Sequence, residues 1–297
     1  MPMDWNPNEQ DIYAGFSDIL LPTNSFDLGS GIRISKTFIH VFGAYMAAFK
    51  EPLLGSFHPA PWKSVAGGSS FDVRAELFIP KSTALFQGID RLNTVWLIAA
   101  LLRLKAVSSL RVPVISNLMF SEIAESQQEA NFLPIELTTK NLISEPLPMR
   151  PFDFDHLEWV KTSLSISGKL FETNEKYSFS LLCLDRSISE TRYSLALMTL
   201  WGALEQLFSP DDKQELSYRI SLNIASYLRQ RGEKRTTLFK MVRRLYTARS
   251  KAAHGNPTED SKEFLETYNL LKEVFLKMTQ ENHVPTQADF EKFILEM

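Results

Sequence analysis

Hydrophobic and polar positions follow one rhythm up to about residue 150 and another beyond it. In the first half, short apolar runs are broken by Leu28-Gly29-Ser30-Gly31, Ala66-Gly67-Gly68-Ser69-Ser70 and Pro146-Leu147-Pro148. Between these breaks, residues 32–39 and 71–79 alternate apolar and polar positions, the period of a strand covered on one side. Residues 93–105 have helical spacing instead. The pattern predicts an α+β domain over residues 1–150.

From Phe152 onward the period becomes that of helices, predicting an all-α domain over residues 151–297. A first helix runs from Asp153 to Phe171, with Asp153 or Asp155 as its N-cap and Leu157, Val160, Leu164 and Ile166 inward. A second spans 176–187. A third, capped by Ser189, carries Leu197, Leu200, Trp201, Leu204, Leu207 and Phe208 on one stripe until Ser209-Pro210 ends it. A fourth runs from about Lys213 to Arg229 on Leu216, Ile220, Ile224 and Leu228. A fifth starts at Thr236 or Thr237, turns Leu238, Val242, Leu245 and Ala252 inward, and stops at Gly255 with Pro257 beyond. A sixth opens at Thr258 and continues to about Met278. No period of 20 to 50 residues repeats, which excludes a solenoid.

Composition narrows the class. Hydrophobic residues make up 44% of the 297 positions and charged residues 23%, the balance of a chain that folds rather than stays disordered. The single cysteine, Cys183, excludes an internal disulfide and fits a reducing, cytoplasmic setting. The first residues have no basic patch leading into an apolar run, so no secretory signal is expected. The most apolar segment, 95–102, lies between Arg91 and Arg103 and is far shorter than the ~20 residues that cross a bilayer. It predicts a buried helix and no membrane partner.

Charge is unevenly placed. Residues 229–251 hold nine Lys or Arg and one acid, Glu233, a local +8 within a chain of −3 that leaves −11 for the remainder. Such an island is a candidate polyanion footprint, with Lys240, Arg243 and Arg244 as candidate RNA contacts. A second reading makes it the wet face of two helices, with Arg243, Arg244 and Lys251 paired to Glu215, Glu259 or Glu263.

At the end of the island stands Arg249-Ser250-Lys251-Ala252-Ala253-His254-Gly255. A guanidinium can hold a phosphate through parallel charge-assisted hydrogen bonds, and an imidazole with an ordinary pKa of about 6.5 can exchange a proton near neutrality. That pair of residue types suits cleavage of a phosphodiester. Five positions along a regular helix span about 500°, which sets the two side chains about 140° apart. They converge only if His254 leaves the regular helix or if two subunits bring their helix ends together. On the residues alone, a solvated helix end with a capping histidine is the competing reading.

Three segments in order, 195–208 with Trp201-Gly202-Ala203-Leu204-Glu205, then Tyr218-Arg219-Ile220 with Ile224-Ala225, then 245–255, resemble the HEPN superfamily, most closely its Apea-like branch. The resemblance covers about residues 152–282. It implies a bundle of four to five helices that dimerises through the helical domain and brings an Arg-x4-His motif from each subunit into a shared cleft. It further implies a metal-independent endoribonuclease without cofactors, serving as a phage-defence or toxin effector. The family's Arg maps to Arg249 and its His to His254, and Glu205 matches the acidic position. Lys251 is a supporting cation. The residue after the Arg is often Asn, Asp or His in potent toxins and here is Ser250. The N-terminal domain is then a candidate docking point for a trigger or inhibitor protein. The alternative is a non-catalytic RNA-binding or dimeric scaffold protein.

Other chemistry-bearing residues give weaker signals. Asp153-Phe154-Asp155-His156 reads as a helix cap rather than a metal site. His40, His58 and His283 show no partners in the sequence, Ser69, Ser70 and Cys183 lack the context of activated nucleophiles, and no Walker or dinucleotide glycine pattern occurs.

Overall fold

The computed structural model describes residues 5–43, 45–53, 56–65, 70–83, 89–106, 109–137, 142, 152–210, 214–253 and 261–295. A sheet-rich first half is followed by a helical second half, the order the change of period predicts.

The first half builds a six-stranded sheet ordered β2-β3-β6-β1-β7-β8 from β1 (Ile12–Ser17), β2 (Ser25–Gly29), β3 (Ile32–Phe42), β6 (Ser70–Ile79), β7 (Arg111–Ser116) and β8 (Phe132–Pro134). Every pairing in it is antiparallel. The two alternating segments of the sequence are β3 and β6, paired from Arg33 opposite Phe78 to Phe42 opposite Ser70. Gly15 in β1 is required by close approach: a Cβ there would sit 2.9 Å from both Val73 methyls and 3.0 Å from Phe120.

Between β3 and β6 the chain continues outward as a two-stranded ribbon of β4 (Tyr45–Ala48) and β5 (Trp62–Val65), with Tyr45 opposite Val65 and Ala48 opposite Trp62. Neither strand was legible in the sequence pattern. The ribbon stands off the core, and most of its large apolar side chains are exposed.

Helix α1 (Arg91–Lys105) is apolar almost all round because it is covered on all sides. Asp90 caps it, accepting the Asn93 N–H at 2.7 Å. One face meets β6, and the others meet α2 (Phe154–Thr173), α3 (Glu175–Ser187) and α7 (Ser261–Glu281). A single hydrophobic core therefore runs from Ile12, Leu77 and Ile79 of the sheet through Leu97 and Leu101 into Trp201, Phe208 and Phe275 of the bundle. At ~1.5–3 kcal/mol per buried large side chain, this shared packing couples the two halves energetically.

The helical half continues with α4 (Tyr193–Phe208), α5 (Leu216–Leu228), α6 (Glu233–Ala253) and, after α7, α8 (Gln287–Leu295). Asp153 caps α2 in a capping box with His156, so this pair is a helix start, as its position in the sequence indicates. Three helix starts differ from expectation. The N-cap of α4 is Arg192, not Ser189, whose N–H is used in a turn to the Arg186 carbonyl at 3.0 Å. Helix α5 cannot begin before Leu216 because Glu215 adopts φ 50°. Helix α6 begins a turn before Thr236 and Thr237, at Glu233, directly after Gly232 with its φ of 137°.

Helix α7 runs on to Glu281, three residues past Met278, and stops where Asn282 takes φ 50°. Its expected opening at Thr258, and the stop of α6 at Gly255 and Pro257, lie outside the described residues. Helix α8 was not anticipated, although Thr286 and Asp289 at its start form the reciprocal contacts of a cap. Among the described residues no helix is long and apolar enough to cross a membrane.

Candidate functional site

Leu238, Val242 and Leu245 bury the inner face of α6, and Arg249 is the next position on that stripe. A core-facing position near the described end of the helix is thus filled by a guanidinium whose side chain is 30% exposed. Glu205, one turn beyond Trp201 on α4, meets it from the facing helix. Arg249 Nη2 donates to Glu205 Oε2 at 3.0 Å and lies 3.0 Å from the buried Oε1 as well.

Two aromatic rings complete this corner. The Arg249 guanidinium lies 5.7 Å from the centre of the Tyr246 ring, whose edge meets Trp201 at 5.1 Å and 85°. Burial, together with the Glu205 charge, pushes the Tyr246 hydroxyl above its ordinary pKa, with Arg249 pulling the other way. Tyr246 therefore stays protonated at neutral pH. Trp201 and Phe208 are fully buried, so they are core rather than base-stacking platforms.

Arg249 has five N–H donors, of which the Glu205 contact uses one. The carboxylate fixes its orientation, and no other group among the described residues takes its remaining donors. Glu205 is the partner that orients Arg249. His254 lies outside the described residues, one position past the described end of α6 at Ala253.

The basic island divides into three parts. Near its start, Arg229 pairs with Glu273, Arg231 donates to the Ile294 carbonyl, and Arg235 donates to the carbonyls of Arg229 at 2.9 Å and Phe293 at 3.1 Å. Arg231 and Arg235 thus anchor the C-terminal end of α8, where carbonyls lack helical partners, and Arg229 is tied to α7. Farther on, Lys240, Arg243, Arg244 and Lys251 are all exposed. At about 100° per residue they fall in one sector about 100° wide, with Arg249 about 180° from Lys240.

The structure therefore brings Arg249 and Glu205 together and sets the exposed basic stripe on the other side of the same helix. Within the stripe Arg244 pairs with Glu266, a carboxylate not among those anticipated, and Arg243 lies 5.9 Å over the Phe239 ring. Lys240 and Lys251 make no ion pair among the described residues.

Two clusters escaped the sequence reading because their members meet only across elements. Arg103 of α1, with 5% of its side chain exposed, donates to both oxygens of Asp185 at 2.9 and 3.1 Å and of Glu136 at 2.8 and 2.6 Å, and to the Leu110 carbonyl at 2.9 Å. Trp96 Nε1 also donates to Asp185, at 2.7 Å. Burial opposes the charge on Arg103, and the two carboxylates more than offset it, holding the guanidinium pKa above its ordinary value. The cluster borders a cavity of about 630 Å³ but has its donors committed to protein groups.

The second cluster corrects the view of His40 as unpartnered. His40 Nδ1 lies 2.7 Å from Asp72 Oδ1, and its Nε2 lies 2.8 Å from Ser70 Oγ. The connectivity matches a Ser-His-Asp relay, but it sits on the wet face of β3 and β6, and Arg74 also holds Asp72, at 2.7 Å. Cross-strand register produces it: His40 faces Asp72, and Phe42 faces Ser70. All three side chains lie on the accessible surface of the sheet, the setting of a cross-strand polar ladder. His283 likewise has a partner, Asp289 at 2.8 Å.

Comparison with protein-family models, with curated proteins and with solved structures finds no match.

Proposed function

We propose that the protein is a metal-independent endoribonuclease of HEPN type, with Arg249 and His254 as its catalytic pair, acting in phage defence or as a toxin. The observation that carries this reading is Arg249 itself: a part-exposed guanidinium held by Glu205 on a core-facing stripe, in a sequence motif whose histidine follows five positions later. A capping or solvating arginine needs no fixed orienting carboxylate. A guanidinium that meets a phosphate in one geometry does.

In the proposed reaction His254 takes the proton from a ribose 2′-OH, the 2′ oxygen attacks phosphorus, and the 5′ oxygen leaves with a proton returned by an imidazole. Arg249 stabilises the charge that builds on the phosphoryl oxygens. The products are a 2′,3′-cyclic phosphate and a 5′-OH, and DNA, lacking the nucleophile, is spared. Because the exposed stripe of Lys240, Arg243, Arg244 and Lys251 is turned away from Arg249, its part in this scheme is to hold RNA that reaches the cleft around the end of α6, or on a second copy.

The ion pair also favours a second reading, in which Arg249 and Glu205 latch α6 to α4 and the protein binds RNA without cutting it. Purified protein incubated with pooled RNA in EDTA separates the two. Cleavage that leaves cyclic phosphate ends and is lost in Arg249→Ala and His254→Ala supports the nuclease. No cleavage by wild type, or undiminished cleavage by His254→Ala, removes it.

A further inference from the structure

The ribbon of β4 and β5 presents an unusual surface for a free chain. Phe42, Tyr45, Met46, Phe49, Leu53, Phe57 and Trp62 are all between 55% and 83% exposed, within 21 consecutive positions. At roughly 200 Å² per large side chain they expose on the order of 900 Å². That exceeds the few hundred Å² usual for an apolar patch on a monomer and matches the ~800 Å² that each partner contributes to a standard interface. Elsewhere among the described residues, the exposed apolar side chains of the helical half, such as Phe179, Leu195 and Leu265, are spread over different helices.

We infer that this ribbon is a self-association arm, covered by the same arm of a second copy. Three features point to a copy rather than to another partner. First, the arm carries both a socket and knobs. Met46, Ala47, Ala48, Phe57, His58 and Trp62 line an apolar cavity of about 430 Å³, held open by Trp62 Nε1 donating to the His58 carbonyl at 2.9 Å. Phe42, Phe49 and Leu53 lie outside that lining and are the projecting side chains able to enter the partner's socket. In a two-fold contact each copy supplies the knob that fills the other's cavity, the reciprocity such an interface requires.

Second, residues 42–65 contain only Lys50, Glu51 and Lys63 as charged groups, so two arms meet without the repulsion of a charged patch and without the cation surplus that an anionic partner would select. Third, β4 and β5 pair only with each other among the described residues, leaving both ribbon edges open to a further strand. This inference does not depend on the nuclease reading, and it locates self-association on the sheet half rather than on the bundle.

The test is the mass of the full chain in solution by light scattering and sedimentation, across the micromolar range. Wild type is expected to be a dimer, and Phe42→Ser with Leu53→Ser is expected to weaken it a hundredfold or more while leaving the circular dichroism unchanged. Trp62→Ala, which opens the socket from the other side, is an independent variant with the same expected direction. A monomeric wild type, or arm variants that stay dimeric, overturns the proposal; the latter outcome would place the contact on the bundle. Flotation of monomeric wild type with phospholipid vesicles would overturn it in favour of a lipid surface.

Discussion

Arg103 and Arg249 each face carboxylates across a helix contact, yet they are opposite kinds of site. Arg103 is 5% exposed and spends its donors on two carboxylates and a backbone carbonyl, gathered from α3, the chain after β8 and the residue before β7. Arg249 is 30% exposed, meets one carboxylate through one nitrogen, and stands near the described end of its helix. A charge that is fully satisfied by its own protein has little left for a ligand. A charge that is oriented but only partly satisfied has both the aim and the spare donors to receive one. The contrast assigns Arg103 to the joint between sheet and bundle and Arg249 to the candidate site.

The largest expected effect tests the first half of that contrast. Arg103→Ala strands Asp185 and Glu136 in a low-dielectric joint and is expected to cost about 3–5 kcal/mol in a urea titration, the range for breaking a buried ion cluster on one side. Replacing all three charged residues by apolar ones of similar volume should recover most of the loss, because the penalty comes from the unpaired carboxylates. A loss below about 1 kcal/mol for the single variant would mean that water reaches the cluster and that Arg103 is no more committed than Arg249.

Arg249→Ala should divide the two properties the other way. Its ion pair is partly exposed, so stability is expected to change by less than about 1 kcal/mol. RNA cleavage is expected to fall roughly 10²–10³-fold, the usual cost of losing a preorganised electrostatic group. Glu205→Gln keeps a hydrogen-bond acceptor but removes the charge, and should slow cleavage less than Arg249→Ala. Equal effects on folding from Arg103→Ala and Arg249→Ala would erase the distinction.

The same contrast explains what could be seen in the sequence. The helices that carry Arg249 and Glu205 were legible from their apolar stripes, Leu238, Val242 and Leu245 or Leu197, Trp201 and Leu204, whereas the two residues themselves stood out through residue type and the resemblance of their segments, not through the period. Arg103 was hidden because its carboxylates lie 33 and 82 residues away, on elements whose packing no local period reports. His40, Asp72 and Ser70 were hidden for the same reason, since register between β3 and β6 brings them together. The ribbon strands were masked by the prolines around its tip, at 52, 59 and 61, which read locally as loop. Helix α8 had a readable signal in Thr286 three positions before Asp289, the spacing of a reciprocal cap.

Asp289 extends the contrast to an anion. It accepts from Thr286 N and Oγ1, both at 2.7 Å, and contacts His283 at 2.8 Å. Burial alone would raise its pKa, but the His283 and Thr286 hydrogen bonds outweigh that and lower it from 3.8 to about 2. The folded state therefore binds this proton less readily than the unfolded chain. The stabilisation is fully present above about pH 4 and is lost as pH falls toward about 2. The urea midpoint of wild type should drop across that window more steeply than that of Asp289→Asn. Parallel curves for the two proteins would show that the carboxylate is not committed to the start of α8.

The smallest effect concerns the exposed stripe of α6, where among the described residues no carboxylate pairs with Lys240 and Arg243 is stacked on Phe239. Such cations act on a polyanion through the release of its counterions, so Lys240→Gln and Arg243→Gln should each lower the slope of log affinity for RNA against log salt by about one. Neither is expected to alter folding stability by more than about 0.5 kcal/mol, since no ion pair among the described residues depends on them. Arg244→Gln separates the bound from the unbound cation: with Glu266 already beside it, its share in the salt slope should be smaller than that of Arg243. A slope that is unchanged by the first two variants and falls for Arg249→Ala would move the whole RNA footprint to the inner face of α6. The exposed stripe would then be a solvated surface.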